Sequence, residues 1–358
     1  METIAKRILP RQQRRFLPAD ERQLGFGDIF SDHMFLMDYH DGRWQAPRIE
    51  PFAPLQLSPA AMGLHYAQLI FEGLKCYRRA DGRLALFRPK DNFVRFAHSA
   101  QRLCIPDFDQ GLALAALKEL LLIDQAWVPS TPGASLYIRP FIVATEPHLG
   151  VRPAREYLFM IITGPVGPYY PEGFAPINIY VEPQYSRTAP GGLGEIKAAA
   201  NYAASLFAAE EAHKKGYTQI LWLDPCHHKY VEEVGSMNMF FVLDGELLTS
   251  PLAGTVLPGI TRQSVLTLAK DWGLKVAERP LPIEEIIGAQ ESGLLTEAFG
   301  TGTAAVVSPV GRLHYQDQDL VVGGGQTIGP LTQRLYDEIT GIQYGLRPDS
   351  HDWIFPLT

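Results

Sequence analysis

Four stretches of the chain carry residue types that can do chemistry. Lys197 follows the flexible approach Gly191-Gly192-Leu193-Gly194-Glu195 and precedes a helix-like run from Ala198 to Lys215. A lysine beside a turn and small residues is reachable from one side, although alone it reads as a solvated surface residue. Glu233 lies in an apolar, strand-like run with Gly235, Ser236 and Asn238 after it. A carboxylate there needs a cationic or hydrogen-bonding partner, because burying it unpaired is costly. Alternation turns one of Glu232 and Glu233 inward without saying which. In residues 257–273 Pro258-Gly259 forms a turn and Ile260-Thr261 opens a helix. The N–H groups and dipole of such a terminus make a ready anion site. In residues 300–305, Gly300 and Gly302 let backbone approach a ligand and Thr301 and Thr303 bring hydroxyls, although alone the stretch reads better as a tight turn between strands.

Other stretches fail as sites. Gly191–Lys197 lacks the Walker spacing and Gly323–Gly329 is not the dinucleotide fingerprint, so both read as loops. Neither a Gly-x-Ser-x-Gly elbow nor a His-Glu-x-x-His helix occurs. Cys226, His227 and His228 are consecutive and cannot easily converge on one ion. They read as a polar turn, and metal catalysis is disfavoured.

Asp-Gly pairs at Asp41-Gly42, Asp81-Gly82 and Asp244-Gly245 sit between apolar runs and predict hairpins. Strand-like runs cover 136–144, 157–163, 177–181, 220–223, 274–277, 295–299 and 304–307. Helical periodicity covers 91–104, 112–127, 199–215, 261–272 and 330–342. The order is mixed α and β without regular βαβ alternation. The Gly- and Pro-dense segment between Gly164 and Pro176 marks a boundary.

At about 150 residues per domain, 358 residues make two to three domains. Lys plus Arg is 32 against Asp plus Glu 39, a net charge of −7 that disfavours polyanion binding. An apolar share of 46% and a charged share of 20% are those of a globular protein. Three cysteines are too few for a disulfide framework. No apolar run approaches membrane-spanning length and no secretory segment opens the chain. The Arg-rich start allows a transit reading, but Pro10, Glu2 and the lack of serine before Ser31 favour a cytoplasmic protein.

The order and spacing of the four stretches carry a resemblance. The run from Glu233 to Arg262, through Leu247-Leu248-Thr249 and Leu257-Pro258-Gly259-Ile260-Thr261-Arg262, resembles the long signature of the class IV, fold-type IV, pyridoxal-phosphate aminotransferases. From about Leu24 to Phe355 the chain is similar to the branched-chain aminotransferases. The carriers include GFGDIFSDHM (25–34), LHYAQLIFEGLKCY (64–77), SLYIRPFIVATEPHLGV (135–151), GGLGEIKAAANYAAS (191–205) and FGTGTAAVVSPVG (299–311). The resemblance implies a mixed α/β fold of two domains, with an N-terminal extension (1–23), a small α/β domain (24–168), a linker (169–176) and a larger cofactor domain with a barrel-like β core (177–358). It places pyridoxal 5'-phosphate at the domain interface.

It also implies roles. Lys197 condenses with the cofactor and moves the substrate's proton, which requires a lysine made neutral by desolvation and nearby positive charge. Glu233 pairs the pyridine nitrogen and keeps the ring an electron sink. Tyr202 resembles the tyrosine on the phenolic oxygen. The phosphate is expected at Ile260-Thr261 with Thr303 and Arg95, and Ser236, Asn238, Leu257, Gly259 and Gly302 belong to the same set. The substrate carboxylate is expected on Thr303-Ala304 and Tyr66, with Phe26, Tyr66, Phe71, Tyr169 and Ala304 around the side chain. Arg139, with Tyr137, resembles the residue that neutralises the side chain of glutamate, and Pro140 beside it suggests an edge or bulge. Leu149 and Val151 are expected to reach a partner subunit, implying a homodimer. Where some relatives carry a Cys-x-x-Cys pair, this chain has Ala305 and Ser308, so no thiol switch is expected. The implied reaction exchanges amino groups between leucine, isoleucine or valine and 2-oxoglutarate. The alternatives are a D-amino-acid aminotransferase, an aminodeoxychorismate lyase or a non-catalytic cofactor-binding relative.

Overall fold

Two hairpin turns show how local chemistry sets the architecture. Asp41 and Gly42 have φ of 53° and 75°, and Asp244 and Gly245 have 48° and 73°. Two successive left-handed residues suit the right-handed twist of the strands they join, and Asp-Gly adopts them at little cost. The first turn joins His33–His40 to Arg43–Pro51, and the second joins Met237–Leu243 to Glu246–Thr249.

The fold, taken from a computed structural model, covers residues 3–18, 20–167 and 173–358. It divides into two units. One comprises Met1–Pro171, Lys197–Ala199 and Gly341–Thr358; the other comprises Glu172–Ile196 and Ala200–Thr340. The closing segment 341–358, expected with the C-terminal half, groups instead with the first unit. The reason is pairing: Ile354–Pro356 runs antiparallel to Ala85–Phe87, and the Arg88 N–H donates to the Trp353 carbonyl at 2.7 Å.

In the first unit, the described residues form a nine-stranded sheet. Its middle is Tyr157–Val166 beside Ser135–Ala144, flanked on one side by the hairpin 33–51 and on the other by Leu69–Phe71, Leu74–Arg78 and Leu84–Phe87. Helices α1 (Met62–Tyr66), α2 (Pro89–Arg102) and α3 (Gln110–Ile123) accompany it. Pro89 opens α2 and the Asp109 carboxylate accepts the Leu112 N–H at 3.0 Å, both favourable at helix starts. Phe93, Phe96 and Ala100 of α2 are buried in one core with Leu117 and Leu120 of α3 and with Phe35 and Phe159 of the sheet.

Pro140 corrects an expectation. Its strand is central, not an edge. Pro140 stands opposite Ile161 on one side, and on the other side it faces the gap between Phe71 and Leu74, where its carbonyl accepts the Glu72 N–H at 2.8 Å. The N–H that proline lacks would point to that same side, so the ladder is interrupted there, between Phe71 and Leu74. The described residues among the first 23 are also stitched into this unit. Ala5–Lys6 pairs in parallel with Arg48-Ile49, the Leu9 N–H donates to His33 Nε2 at 2.9 Å, and Arg15 pairs with Asp32 at 3.2 Å.

The second unit is built on a closed ring. Val231–Val234, Gln219–Leu223, Ile177–Glu182, Val306–Tyr315, Leu295–Gly302 and Met237–Leu243 follow one another, and the last pairs back to the first. This is the barrel-like core implied by the resemblance. All seven residues of Met237–Leu243 are buried, as in a strand covered on both faces. Helices α4 (Ala199–Lys214), α5 (Ile260–Asp271), α6 (Ile283–Glu291) and α7 (Pro330–Tyr344) complete the set. The start of α7 is tied to the ring by buried Glu297, which accepts the N–H groups of Leu331 and Thr332 at 2.9 and 2.8 Å. Among the described residues no helix is long and apolar enough to cross a membrane.

Phe159 is fully buried, with the rings of Phe35, Phe96 and Phe108 at 5.7, 5.5 and 5.3 Å. Phe159→Ala is expected to lower the stability of this unit by about 3–5 kcal/mol. Urea unfolding followed by the fluorescence of Trp44, 6.3 Å from the Phe159 ring, measures it.

Candidate active site

Lys197 belongs to the first unit through its backbone. Its N–H donates to Ser99 Oγ at 3.1 Å, its carbonyl accepts the Phe71 N–H at 3.0 Å, and Ala198 bridges to Ile70. Both peptide groups of the lysine are thus held before α4 begins. The half-buried amine lies 5.1 Å from the centre of the Phe71 ring. Beside it, Arg95 of α2 makes a side-on fork with the buried carboxylate of Glu72, Nε to Oε1 at 2.8 Å and Nη2 to Oε2 at 2.9 Å. Asn92 Nδ2 adds a third bond to Glu72 at 2.8 Å. Burial alone would raise the Glu72 carboxyl, but the charge and hydrogen bonds of Arg95, with Lys197 and Asn92, hold it below the usual carboxylate range.

On the sheet of the same unit Arg139 donates from Nη2 to the Tyr137 hydroxyl at 2.9 Å, and its guanidinium lies 4.6 Å from the centre of the Phe71 ring. Phe26 meets Tyr137 edge-on at 5.0 Å. Phe26, Tyr137, Arg139, Ile162 and Thr163 line a cavity of about 210 Å³. Buried Lys75 stands opposite Tyr137 on the neighbouring strand, and burial pushes its ammonium down to about 8. Tyr66 on α1 donates its hydroxyl to the Leu149 carbonyl, and Val151 is 84% exposed. Tyr169 lies outside the described residues.

In the second unit, Glu233 and Glu232 are both buried, so alternation does not send either to solvent. Glu233 Oε2 takes Nη2 of buried Arg187 at 3.0 Å. Its Oε1 accepts Asn238 Nδ2 at 3.1 Å and the Leu257 N–H at 3.0 Å. Asn238 Nδ2 also donates to the Leu257 carbonyl at 2.9 Å. A Cβ on Gly259, the N-cap of α5, would run into Asn238 Oδ1, so glycine lets the helix start this close to the carboxylate. Tyr202, Ser236, Arg187, Glu233 and Leu257 share the wall of a cavity of about 230 Å³. The strand Leu295–Gly302 ends in the turn Thr303-Ala304-Ala305 and returns at Val306, whose φ is 63°. Such an angle in a β-branched residue is a true outlier.

Glu232 hydrogen-bonds the Thr255 side chain, and burial, aided by Glu233 and Asp224, pushes its carboxyl up to about 7 against the pull of Thr255 and Arg187. The Cys226–His228 segment is a turn in which the Asp224 carboxylate accepts the N–H groups of Cys226 and His227 at 3.2 and 2.8 Å. Among the described residues no group of three His, Cys, Asp or Glu side chains is placed to hold a metal ion.

Within the first unit the expected residues Lys197, Phe71, Arg95, Tyr137 and Arg139 form a connected set with Phe26. Within the second, Glu233, Asn238, Leu257, Gly259, Ile260 and Thr261 follow one another through direct bonds and the start of α5. Ser236 is exposed and Gly302 closes its strand. Two partners went unrecognised in the sequence, Glu72 and Arg187. The need for a cation beside Glu233 was visible, but the arginine that meets it was not, because nothing in Tyr185-Ser186-Arg187-Thr188 sets it apart.

The model of the family "Amino-transferase class IV" matches residues 69–313. The chain is 52% identical over 335 residues to branched-chain-amino-acid aminotransferase 2 of Bacillus subtilis (strain 168), covering 93% of this chain and 92% of that one. It superposes with a TM-score of 0.75 and 28% identity on the crystal structure of the Escherichia coli branched-chain amino acid aminotransferase, covering 91% of this chain and 99% of that one. A T.th. branched-chain amino acid aminotransferase complexed with N-(5'-phosphopyridoxyl)-L-glutamate gives 0.72 and 28%, covering 90% and 98%.

The raised Glu232 group carries a stability signature. The folded state keeps a proton that the unfolded chain gives up near 4.5, so this contribution is full below that pH and is lost as pH rises to about 7. Glu232→Gln is expected to remove this pH dependence and to gain on the natural chain at pH 8 by up to about 3 kcal/mol. Denaturant unfolding of both chains at pH 5 and 8 tests it.

Proposed function

We infer the working arrangement from one premise: the chain belongs to the class IV aminotransferases and is a pyridoxal-phosphate-dependent branched-chain-amino-acid transaminase. Its residues fit the cofactor by their chemistry. A buried carboxylate with two hydrogen-bond donors on one oxygen and a helix start capped by a side-chain-free glycine match a pyridine nitrogen and a phosphate. When bound, the cofactor supplies an aldehyde that takes up an amine and a ring that withdraws electrons from it.

In this reading Lys197 Nζ holds the cofactor between turnovers and moves the proton taken from the substrate Cα. Glu233 holds the proton of the ring nitrogen, and the Tyr202 hydroxyl donates to the phenolic oxygen. The first turn of α5 at Ile260-Thr261, Thr303 and Arg95 receive the phosphate, with Ser236, Asn238, Leu257, Gly259 and Gly302 shaping the seat. The N–H groups of Thr303-Ala304 and the Tyr66 hydroxyl orient the α-carboxylate. Phe26, Phe71, Tyr66 and Ala304 surround the side chain, where burying an isobutyl or sec-butyl group gains about 1.5–3 kcal/mol.

The second substrate pair is glutamate and 2-oxoglutarate, by analogy with the relative that holds phosphopyridoxyl-glutamate. Arg139 neutralises the side-chain carboxylate, held between Phe71 and Tyr137 so that its charge is placed before substrate arrives. Leu149 and Val151 are exposed, which supports a contact with a second copy of the chain, and we place the enzyme in the cytoplasm as a homodimer. What supports the reading most is the pinning of Lys197 by Ser99 and Phe71. The fixed peptide groups set where the side chain starts, and the half-buried amine lies against the Phe71 ring rather than in open solvent.

Mixing the holoenzyme with leucine, isoleucine, valine or glutamate is expected to shift the cofactor's absorbance in single half-reactions. Lys197→Ala is expected to lower turnover by at least about 10⁴-fold and to abolish those shifts; retained turnover overturns the reading. Arg139→Met is expected to lower kcat/KM for glutamate by about 10- to 100-fold, the worth of a charge-assisted hydrogen bond, while changing leucine by less than about threefold.

A further inference from the structure

We propose that Glu232 supplements the negative charge with which Glu233 holds the proton of the cofactor's ring nitrogen, because buried Arg187 offsets the charge of Glu233. The proposal rests on the assignment of Glu233 to the ring nitrogen made above.

A carboxylate favours a protonated pyridine through its field, and an arginine on the same carboxylate subtracts from that field. Here the arginine is close and sheltered. Arg187 Nη2 lies 3.0 Å from Glu233 Oε2, and the side chains are 8% and 4% exposed. Water screens such a pair little. Arg187 cannot swing away, because the same Nη2 donates to the Thr255 carbonyl at 2.5 Å and approaches the Gly194 carbonyl at 3.5 Å. With these two groups alone the local charge sums to zero.

Glu232 changes the sum. It is the preceding residue on the strand Val231–Val234 and is buried like its neighbours. Its carboxyl meets the side chain of Thr255, the residue whose carbonyl holds Arg187. One loop thus receives Glu232 and Arg187 at Thr255, and gives its Leu257 N–H to Glu233. The charged groups that reach Glu232 are Arg187 from before the Lys197 segment, Glu233 beside it, and Asp224 at the end of Gln219–Leu223. With Glu232 ionised the cluster of Glu232, Glu233 and Arg187 carries one net negative charge; with Glu232 neutral it carries none. Because the Glu232 carboxyl is pushed up to about 7, the charge arrives within the ordinary working range of pH. Glu232 acts through the cluster and touches no substrate, so it is a positioning residue for charge.

The test reads the ring nitrogen itself. Holoenzyme is reconstituted with pyridoxal phosphate carrying ¹⁵N in the ring, and the ¹⁵N resonance is followed against pH for the natural chain and for Glu232→Gln, Glu232→Asp and Glu233→Gln. Glu232→Gln keeps the shape and can still bond Thr255. Its ring nitrogen is expected to lose the proton at a pH lower by about one unit or more, a tenfold weaker hold. Glu232→Asp, which restores the charge, is expected to return the midpoint toward that of the natural chain. A Glu232→Gln midpoint equal to the natural one overturns the proposal, as does an equal fall in Glu232→Asp, which would mark a packing role. Should Glu232→Gln yield no holoenzyme, Glu232→Ser is read by the same criterion. If Glu233→Gln leaves the resonance unmoved, the assignment of Glu233 fails instead, and the two failures are told apart.

Discussion

A carboxylate sealed inside a barrel wall has to be answered by donors, and the answer given to Glu233 dictates much of what surrounds it. Leaving one partner of a buried ion pair alone costs about 3–5 kcal/mol. Arg187, Asn238 and the Leu257 N–H are therefore locked in place by the presence of the charge. Asn238 turns the constraint into a ruler. Its Nδ2 reaches both Glu233 and the Leu257 carbonyl, and its Oδ1 occupies the space that a side chain at position 259 would need. The chain passes from Leu257 into α5 with no slack. The spacing from the carboxylate to the helix start is fixed by these contacts.

The first unit repeats the device with other residues. Glu72 is buried against Arg95 and Asn92, and the peptide N–H of Phe71 just before it holds the Lys197 carbonyl. The broken strand between Phe71 and Leu74 makes this possible. It exposes the Glu72 N–H to Pro140, turns the carboxylate toward α2 and leaves Phe71 beside the lysine. Proline at position 140 suits the break, and what looked in sequence like an edge signal marks a junction inside the sheet.

The elements that were legible in the sequence share one property, a signal carried by neighbours. Asp-Gly hairpins need two adjacent residues, and α2, α3, α4, α5 and α7 show several turns of period, so their limits fall within a few residues of those expected. Helix α6 escaped because its nine residues bury only Ile283 and Ile286, too few to show a period. The first 23 residues escaped because their anchors, His33 and Asp32, are distant acceptors rather than local patterns. The same rule divides the site. Lys197, Glu233 and the start of α5 lie in stretches whose order carries the resemblance. Glu72 and Arg187 are known only by what they pair with, and the sequence announces the need for such a partner without naming it.

Val306 shows where the fold accepts strain. A β-branched residue at φ 63° costs about 1–3 kcal/mol, and the register around it explains why the cost persists. Gly302 pairs with Val306, Thr301 with Val307 and Gly300 with Ser308, so the two strands hold the turn shut from both ends. Only Thr303, Ala304 and Ala305 remain to reverse the chain. A longer loop would relax the valine but would release the backbone N–H groups at Thr303-Ala304 from a fixed direction. The strain is therefore the consequence of reversing the chain tightly between two paired strands of the ring. The same closure that completes the barrel keeps those donors in place, and neither can be loosened without the other.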